Sequence, residues 1–345
     1  MTLAAKKTIF IEPSSRHFYE DRLFDADNSL LNRDGTLLPF VRLREHFKSK
    51  GVAVHTADLL RKGLHLSDVN EYWSLGILNQ YSQFLNRSDV HLKGFILLEP
   101  PLVAPKMYSE LPRISHSFDK VFLHNSVGYG YSITGFNHDN LHSYYWPQPY
   151  ASEVEPYWSN QDRLNKLALI AGHHHSKWRK PEYYSKRIEA VAELSQYHAI
   201  DLYGRGWDKL FSINSLWMPY LRNYLTIRNA YKGPCNSKLE ILSKYRFSLC
   251  YENMPMQGYV TEKIFDCLYA GTIPVYLGAP DIDQCIPSKV YVDRTQYSNL
   301  TDLYCDIASW PVERTEAMRE AGKDFLRNKG VEYFNSLIQV FDPVD

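Results

Sequence analysis

Residues 245–278, YRFSLCYENMPMQGYVTEKIFDCLYAGTIPVYLG, constrain the fold more tightly than any other part of the chain. Residues 247–251 form a short apolar run, which predicts a buried strand. Residues 252–258 are polar and hold Pro255 and Gly258, which predicts a loop. Thr261 stands where a helix cap is expected, with Glu262 and Lys263 in the first turn. Ile264, Phe265, Leu268 and Tyr269 recur at helical spacing, and Gly271 ends the pattern. Residues 272–277 read as a second buried strand. Loop and helix start therefore lie at the carboxyl end of a strand in an α/β layer, where such folds bind ligands.

The loop chemistry suits a sugar nucleotide. A helix N-terminus offers free N–H groups and partial positive charge to a pyrophosphate. Lys263 adds a full charge. Asn253 and Glu262 can hydrogen-bond hydroxyls, and Tyr251 or Tyr259 can cover a ring.

The segment resembles the signature of the family 10 glycosyltransferases, the α-1,3/1,4-fucosyltransferases. Tyr251-Glu252-Asn253, Tyr259-Val260-Thr261-Glu262-Lys263 and Ala270-Gly271-Thr272-Ile273-Pro274-Val275 follow its order and spacing. The resemblance is good in the C-terminal half and fragmentary in the N-terminal half. It implies a GDP-fucose donor, a glycan acceptor and a cytosolic enzyme of bacterial type.

Composition agrees. With 345 residues, 44% hydrophobic and 23% charged, the chain reads as a globular protein of two domains. A formal net charge of zero gives no sign of a nucleic-acid binder. Among 26 tyrosines some are expected on carbohydrate-binding surfaces, most in the core. The five cysteines show no CxxC pair and an odd count, so reduced thiols and a cytoplasmic location are expected. No apolar run is long enough for an integral membrane segment.

Along the chain, strands are expected at residues 8–11, 52–55, 94–98, 121–124, 167–171 and 199–203, and helices at 40–50, 69–85, 181–196 and 312–341. Residues 125–160 read as loops and the crossover between domains. Alternating strands and helices in two halves predict a GT-B architecture: two Rossmann-like α/β domains facing a cleft. The expected division is 1–160 for an acceptor-binding domain, 161–310 for the donor domain and 311–345 for a helix packing back across the halves.

Glu99 follows a buried strand and precedes Pro100 and Pro101, which hold the chain extended and place a carboxylate at the strand edge. The family resemblance implies the general base at this step, here with Pro in place of the usual Ser or Asn. It also implies diphosphate contact for Arg187, a residue type suited to bidentate phosphate binding. The Asp201-Leu202-Tyr203-Gly204-Arg205 step resembles the family's nucleotide turn and adds Arg205 as a donor-site candidate.

His173, His174 and His175 are adjacent and point in different directions on any regular element, so a shared metal is not expected. Asp25 and Asp27, and Asp281 and Asp283, form D-x-D strings away from the expected phosphate site. No metal or other cofactor is expected, because Lys263 and Arg187 can neutralise the leaving group. The expected activity is inverting fucosyl transfer. The alternatives are a GT-B transferase using another sugar nucleotide and a non-catalytic sugar-nucleotide or glycan-binding protein.

Overall fold

The computed structural model describes residues 6–175, 181–210 and 217–343. The chain divides into two compact units: residues up to Pro149 together with those from Glu332 onward, and Tyr150–Val331.

The first unit is built on six strands: β1 (Lys7–Glu12), β2 (Ala53–Thr56), β3 (Val69–Ser74), β4 (Val90–Ile96), β5 (Lys120–Leu123) and β6 (Leu141–Ser143). They lie in the order β2-β1-β3-β4-β5-β6, and every pairing is parallel. A parallel sheet is covered on both faces, which explains the unbroken apolar run of β1. Phe10 packs with Leu60, Tyr72 and Phe95 on one face. Ile9 and Ile11 pack with Leu43, Phe47 and Phe341 on the other. Phe341 closes the Val312–Phe341 helix and stacks on Trp73 at 3.8 Å between ring centroids.

The second unit holds β7 (Leu164–Ile170), β8 (Ile200–Tyr203), β9 (Tyr231–Gly233), β10 (Tyr245–Tyr251), β11 (Ile273–Leu277) and β12 (Val292–Asp293). Their order is β12-β11-β10-β7-β8-β9, again all parallel. Two parallel α/β units are the GT-B fold class. The order in which strands are added reverses between β7 and β10, which run parallel and pair Phe247 with Leu167 and Ser248 with Ala168. Such a reversal opens a crevice at the carboxyl ends of the strands.

Several elements differ from expectation. Residues 69–85 are not a helix: Val69–Ser74 is β3, hydrogen-bonded between β1 and β4. Val69, Tyr72 and Trp73 favour strands, and the sheet position outweighs the apparent helical spacing. Residues 125–160 are not all loop, since Leu141–Ser143 adds an edge strand beside β5. The helix expected at 181–196 occupies Tyr184–Leu194. The Pro105–Ser117 and Met218–Ala230 helices have no counterpart in the sequence reading.

Candidate donor site at the carboxyl edge of the second sheet

Glu252 is the first residue past β10 and is fully buried, at 0% exposure. Its carboxylate accepts from the Thr261 backbone N–H at 2.9 Å, from Thr261 Oγ1 at 3.0 and 2.9 Å, and from Lys263 Nζ at 2.9 Å. Thr261 occupies the N-cap of the Glu262–Tyr269 helix but makes no side-chain capping bond. That corrects the expected cap: its hydroxyl is turned to Glu252, and Lys263 Nζ donates to the same hydroxyl at 2.9 Å. One buried acid thus ties the end of β10 to the helix start.

Two close approaches fix the surrounding backbone. A Cβ on Gly278 would lie 2.2 Å from Tyr276 Oη and 2.6 Å from Glu252 Cγ, so the end of β11 can press on Glu252 only as glycine. A Cβ on Gly204, whose φ is +134°, would lie 1.9 Å from the Ala171 carbonyl oxygen. Glycine there lets the turn after β8 meet the turn after β7.

Arg187 lies in the Tyr184–Leu194 helix and is buried, at 4% exposure. Its Nη2 donates to the Tyr251 carbonyl at 2.6 Å, the Glu252 carbonyl at 2.9 Å and Asn253 Oδ1 at 3.0 Å. All three acceptors are neutral, and the buried Nε has no partner. Burial lowers the guanidinium pKa, partly offset by Tyr184 and Glu252. A buried cation bonded only to neutral groups is electrostatically costly until an anion approaches.

Lys263 carries the second positive charge. Burial alone would lower its pKa, but Glu252 and Glu262 outweigh burial and raise it. Glu262 lies 3.7 Å from Lys263 and 4.0 Å from Lys238. Burial opposes its ionisation, yet Lys263 and Lys238 bring its pKa down to about 2. Glu262 is therefore an ionised acceptor at neutral pH.

Two expected roles change. Tyr251 and Tyr259 do not present rings to a ligand: they are buried at 3% and 1% exposure. The Tyr251 ring belongs to the core of the unit, and Tyr259 Oη accepts from Asn253 Nδ2 at 3.1 Å. Asn253 is likewise drawn into the loop, since its two amide atoms bond Tyr259 and Arg187. Spare lone pairs and a second N–H remain on that amide for a hydroxyl.

The structure brings Arg187, Tyr251, Asn253, Tyr259, Glu262 and Lys263 together at the β10 edge. Arg205 is exposed in the turn after β8, and its carbonyl accepts from the His173 backbone N–H at 3.0 Å. The three histidines meet three environments. His173 stacks on Trp207 and burial lowers its pKa to about 4. His174 approaches Tyr184, and His175 lies edge-on to Trp217. Among the described residues no group of three or more His, Cys, Asp or Glu side chains is arranged to hold a metal ion.

Glu252 and Asp281 are the participants that sequence reasoning missed. Asp281 accepts from the Gly258 backbone N–H at 3.0 and 3.2 Å and so holds the signature loop. The signal for Glu252 was its place inside the Tyr251-Glu252-Asn253 motif. Asp281 stands out in the sequence only as part of a D-x-D string expected away from the phosphate site; its bond to Gly258, 23 residues away, brings it against the signature loop instead.

Glu99 stands at the carboxyl edge of the first sheet, three residues past the end of β4, and is half-buried. Three successive carbonyls there each accept from an aromatic side chain. Tyr144 Oη donates to Leu97 at 3.3 Å, and Tyr108 Oη donates to Glu99 at 3.2 Å. Between them His124 Nε2 bonds the Leu98 carbonyl at 2.9 Å, which requires the Nε2-protonated form.

Residues 165–314 match the sequence model of glycosyltransferase family 10 (fucosyltransferase), C-terminal domain. That stretch is similar to the C-terminal domain of the family and spans less than half of the chain. Arg187, Arg205, Tyr251, Asn253, Tyr259, Glu262 and Lys263 lie inside the matched stretch, and Glu99 lies outside it. Helicobacter pylori alpha-(1,3)-fucosyltransferase FucT is 38% identical over 77 residues, 22% of this chain and 16% of that protein. Xenopus tropicalis GDP-fucose protein O-fucosyltransferase 3 is 32% identical over 105 residues, 30% of this chain and 20% of that protein. The chain therefore matches well under a quarter of the length of either relative. Among solved structures, Anabaena Alr3699/HepE in complex with UDP-glucose superposes with a TM-score of 0.58 at 12% identity, covering 98% of this chain and 100% of that one. That likeness concerns the fold. Among the described residues no helix is long and apolar enough to cross a membrane.

Proposed function

We propose that this chain is an inverting fucosyltransferase that moves L-fucose from GDP-fucose to a hydroxyl of a glycan acceptor. The observation that carries the reading is the matched family 10 domain, which sets Arg187 and Lys263 around the loop after β10. GDP-fucose is the donor suggested by the relatives' names.

In this reading the acceptor oxygen attacks the anomeric carbon as its proton passes to the Glu99 carboxylate. The bond to the diphosphate breaks, and its electron pair leaves on GDP. Arg187, Lys263 and the N-terminus of the Glu262–Tyr269 helix meet the growing negative charge. Glu262 accepts from sugar hydroxyls, and Asn253 accepts from or donates to them. Arg205, exposed beside the same edge, is a further donor-binding candidate. With two cations and a helix N-terminus present, transfer is expected to persist in EDTA. Residues 1–160 would supply the acceptor side. Five cysteines without a disulfide fit a cytoplasmic setting.

Product analysis by NMR tests this directly. An α-linked fucoside formed from GDP-β-L-fucose is expected. In Glu99→Gln, turnover should fall by about two orders of magnitude with donor affinity kept. A β-linked product, or full turnover in the variant, would overturn the mechanism.

A further inference from the structure

The first unit has its own reversal of strand order, between β1 and β3. An open groove of 540 Å³ lies at that carboxyl edge. Arg16, Tyr19, Glu20 and Arg22 reach it from the chain after β1. Asp58, Arg61 and Lys62 reach it from the chain after β2, and Gln80 from that after β3. The site described in the second unit uses none of them.

The groove wall is held by a buried network. Glu12, the last residue of β1, is fully buried; it pairs with Arg61 and accepts from Tyr19 Oη at 2.7 Å and Tyr72 Oη at 3.3 Å. Arg61 also lies 5.1 Å from the centre of the Tyr19 ring. Glu20 and Asp21 both have φ of 59°, a left-handed pair without glycine. Such residues are strained and persist only where surroundings dictate them. Here Asp58 accepts from the Glu20 N–H at 3.3 and 3.2 Å, and Thr56 Oγ1 accepts from the Asp21 N–H at 3.0 Å. The Asp21 carboxylate in turn accepts from the Thr56 N–H at 2.8 Å. The loop is thus forced into a shape that carries Glu20 and Arg22 to the rim.

The charges sort into two classes. Arg61 is matched by Glu12, and Lys62 by Glu20 at 3.2 Å and Asp58 at 3.9 Å. Arg16 and Arg22 are exposed and form no ion pair among the described residues. Carboxylates, guanidinium groups, an amide and one tyrosine suit a saccharide, whose hydroxyls both donate and accept. Two unmatched guanidinium groups at the rim suit an acid group on it, since arginine binds carboxylates and sulfate or phosphate esters bidentately.

We propose that this groove binds a saccharide bearing an acidic group, with the ring hydroxyls over Tyr19, Glu20 and Asp58 and the anion between Arg16 and Arg22. If the chain is the transferase proposed above, this ligand is its acceptor; the groove itself does not depend on that reading.

Calorimetry without donor tests it, using lactose, sialyllactose and sulfated lactose as probes. At least one acidic probe should bind about tenfold or more tighter than lactose, as one or two charge-assisted contacts provide. The arm that binds distinguishes carboxylate from ester. Arg16→Ala/Arg22→Ala should bring the acidic probe to the lactose level while leaving GDP-fucose binding unchanged; both residues are exposed, so the variant should melt like the wild type. Equal affinity for neutral and acidic probes, or acidic binding that survives the double substitution, would overturn the proposal. Loss of transfer with intact saccharide binding would count against the transferase reading alone.

Discussion

The carboxylate of Glu252 and the ammonium of Lys263 meet at 2.9 Å, with the acid fully buried and the lysine one-quarter exposed. Lys263 is therefore a structural cation as well as a candidate phosphate ligand. Removing it leaves a buried, uncompensated acid.

Lys263→Ala should accordingly lower stability by about 3–5 kcal/mol, the usual effect of breaking a buried pair from one side. Adding Glu252→Gln should restore part of that loss. Urea unfolding of the two variants measures it. A single variant as stable as the wild type would show that the pair has little coupling. Where the single variant stays folded, it should bind GDP more weakly while guanosine binding changes little.

Acid should weaken the second unit through Glu262. Its folded pKa of about 2 lies below its ordinary value of 4.5. The stabilisation is therefore complete above the ordinary value and is lost as pH falls through the folded one. Melting temperatures recorded from pH 5 to about 2 should fall more steeply for the wild type than for Glu262→Gln. Parallel curves would contradict the assignment. Lys263 has the opposite sign: its raised pKa contributes fully below its ordinary value and is lost only in strong alkali, so it adds no slope near neutrality.

Much of this edge is legible in the sequence. The strand, loop and helix of residues 245–269 follow from apolar runs, Gly258 and helical spacing, because each signal is local. What is hidden depends on partners distant in the chain. Glu252 is read correctly only once Thr261 and Lys263, 9 and 11 residues away, fold back onto it. Arg187 looks like a surface helix residue until β10, more than 60 residues later, supplies its acceptors. Tyr251 and Tyr259 carry no mark that separates a core ring from a ligand-facing one. Val69–Ser74 misleads because its aromatic pair fits helical spacing as well as a strand.

The turn that bears Glu99 should depend on its aromatic donors. Tyr108→Phe frees the Glu99 carbonyl, and loss of one hydrogen bond to the backbone costs about 1 kcal/mol. Acting through Glu99 position, it should lower kcat severalfold while leaving KM for GDP-fucose unchanged. In the Glu99→Gln background the same substitution should have no further effect on kcat. An equal, additive drop in both backgrounds would mean that Tyr108 acts apart from the base.

The most direct test of the account is a donor panel by calorimetry: GDP-fucose, GDP-mannose, UDP-glucose and GDP titrated into the full chain and into Arg187→Ala. The account predicts that GDP-fucose binds tightest. It also predicts that GDP loses about tenfold or more in affinity without the guanidinium, as a charge-assisted contact to phosphate requires. Preference for a uridine donor, or GDP binding indifferent to Arg187, would contradict it.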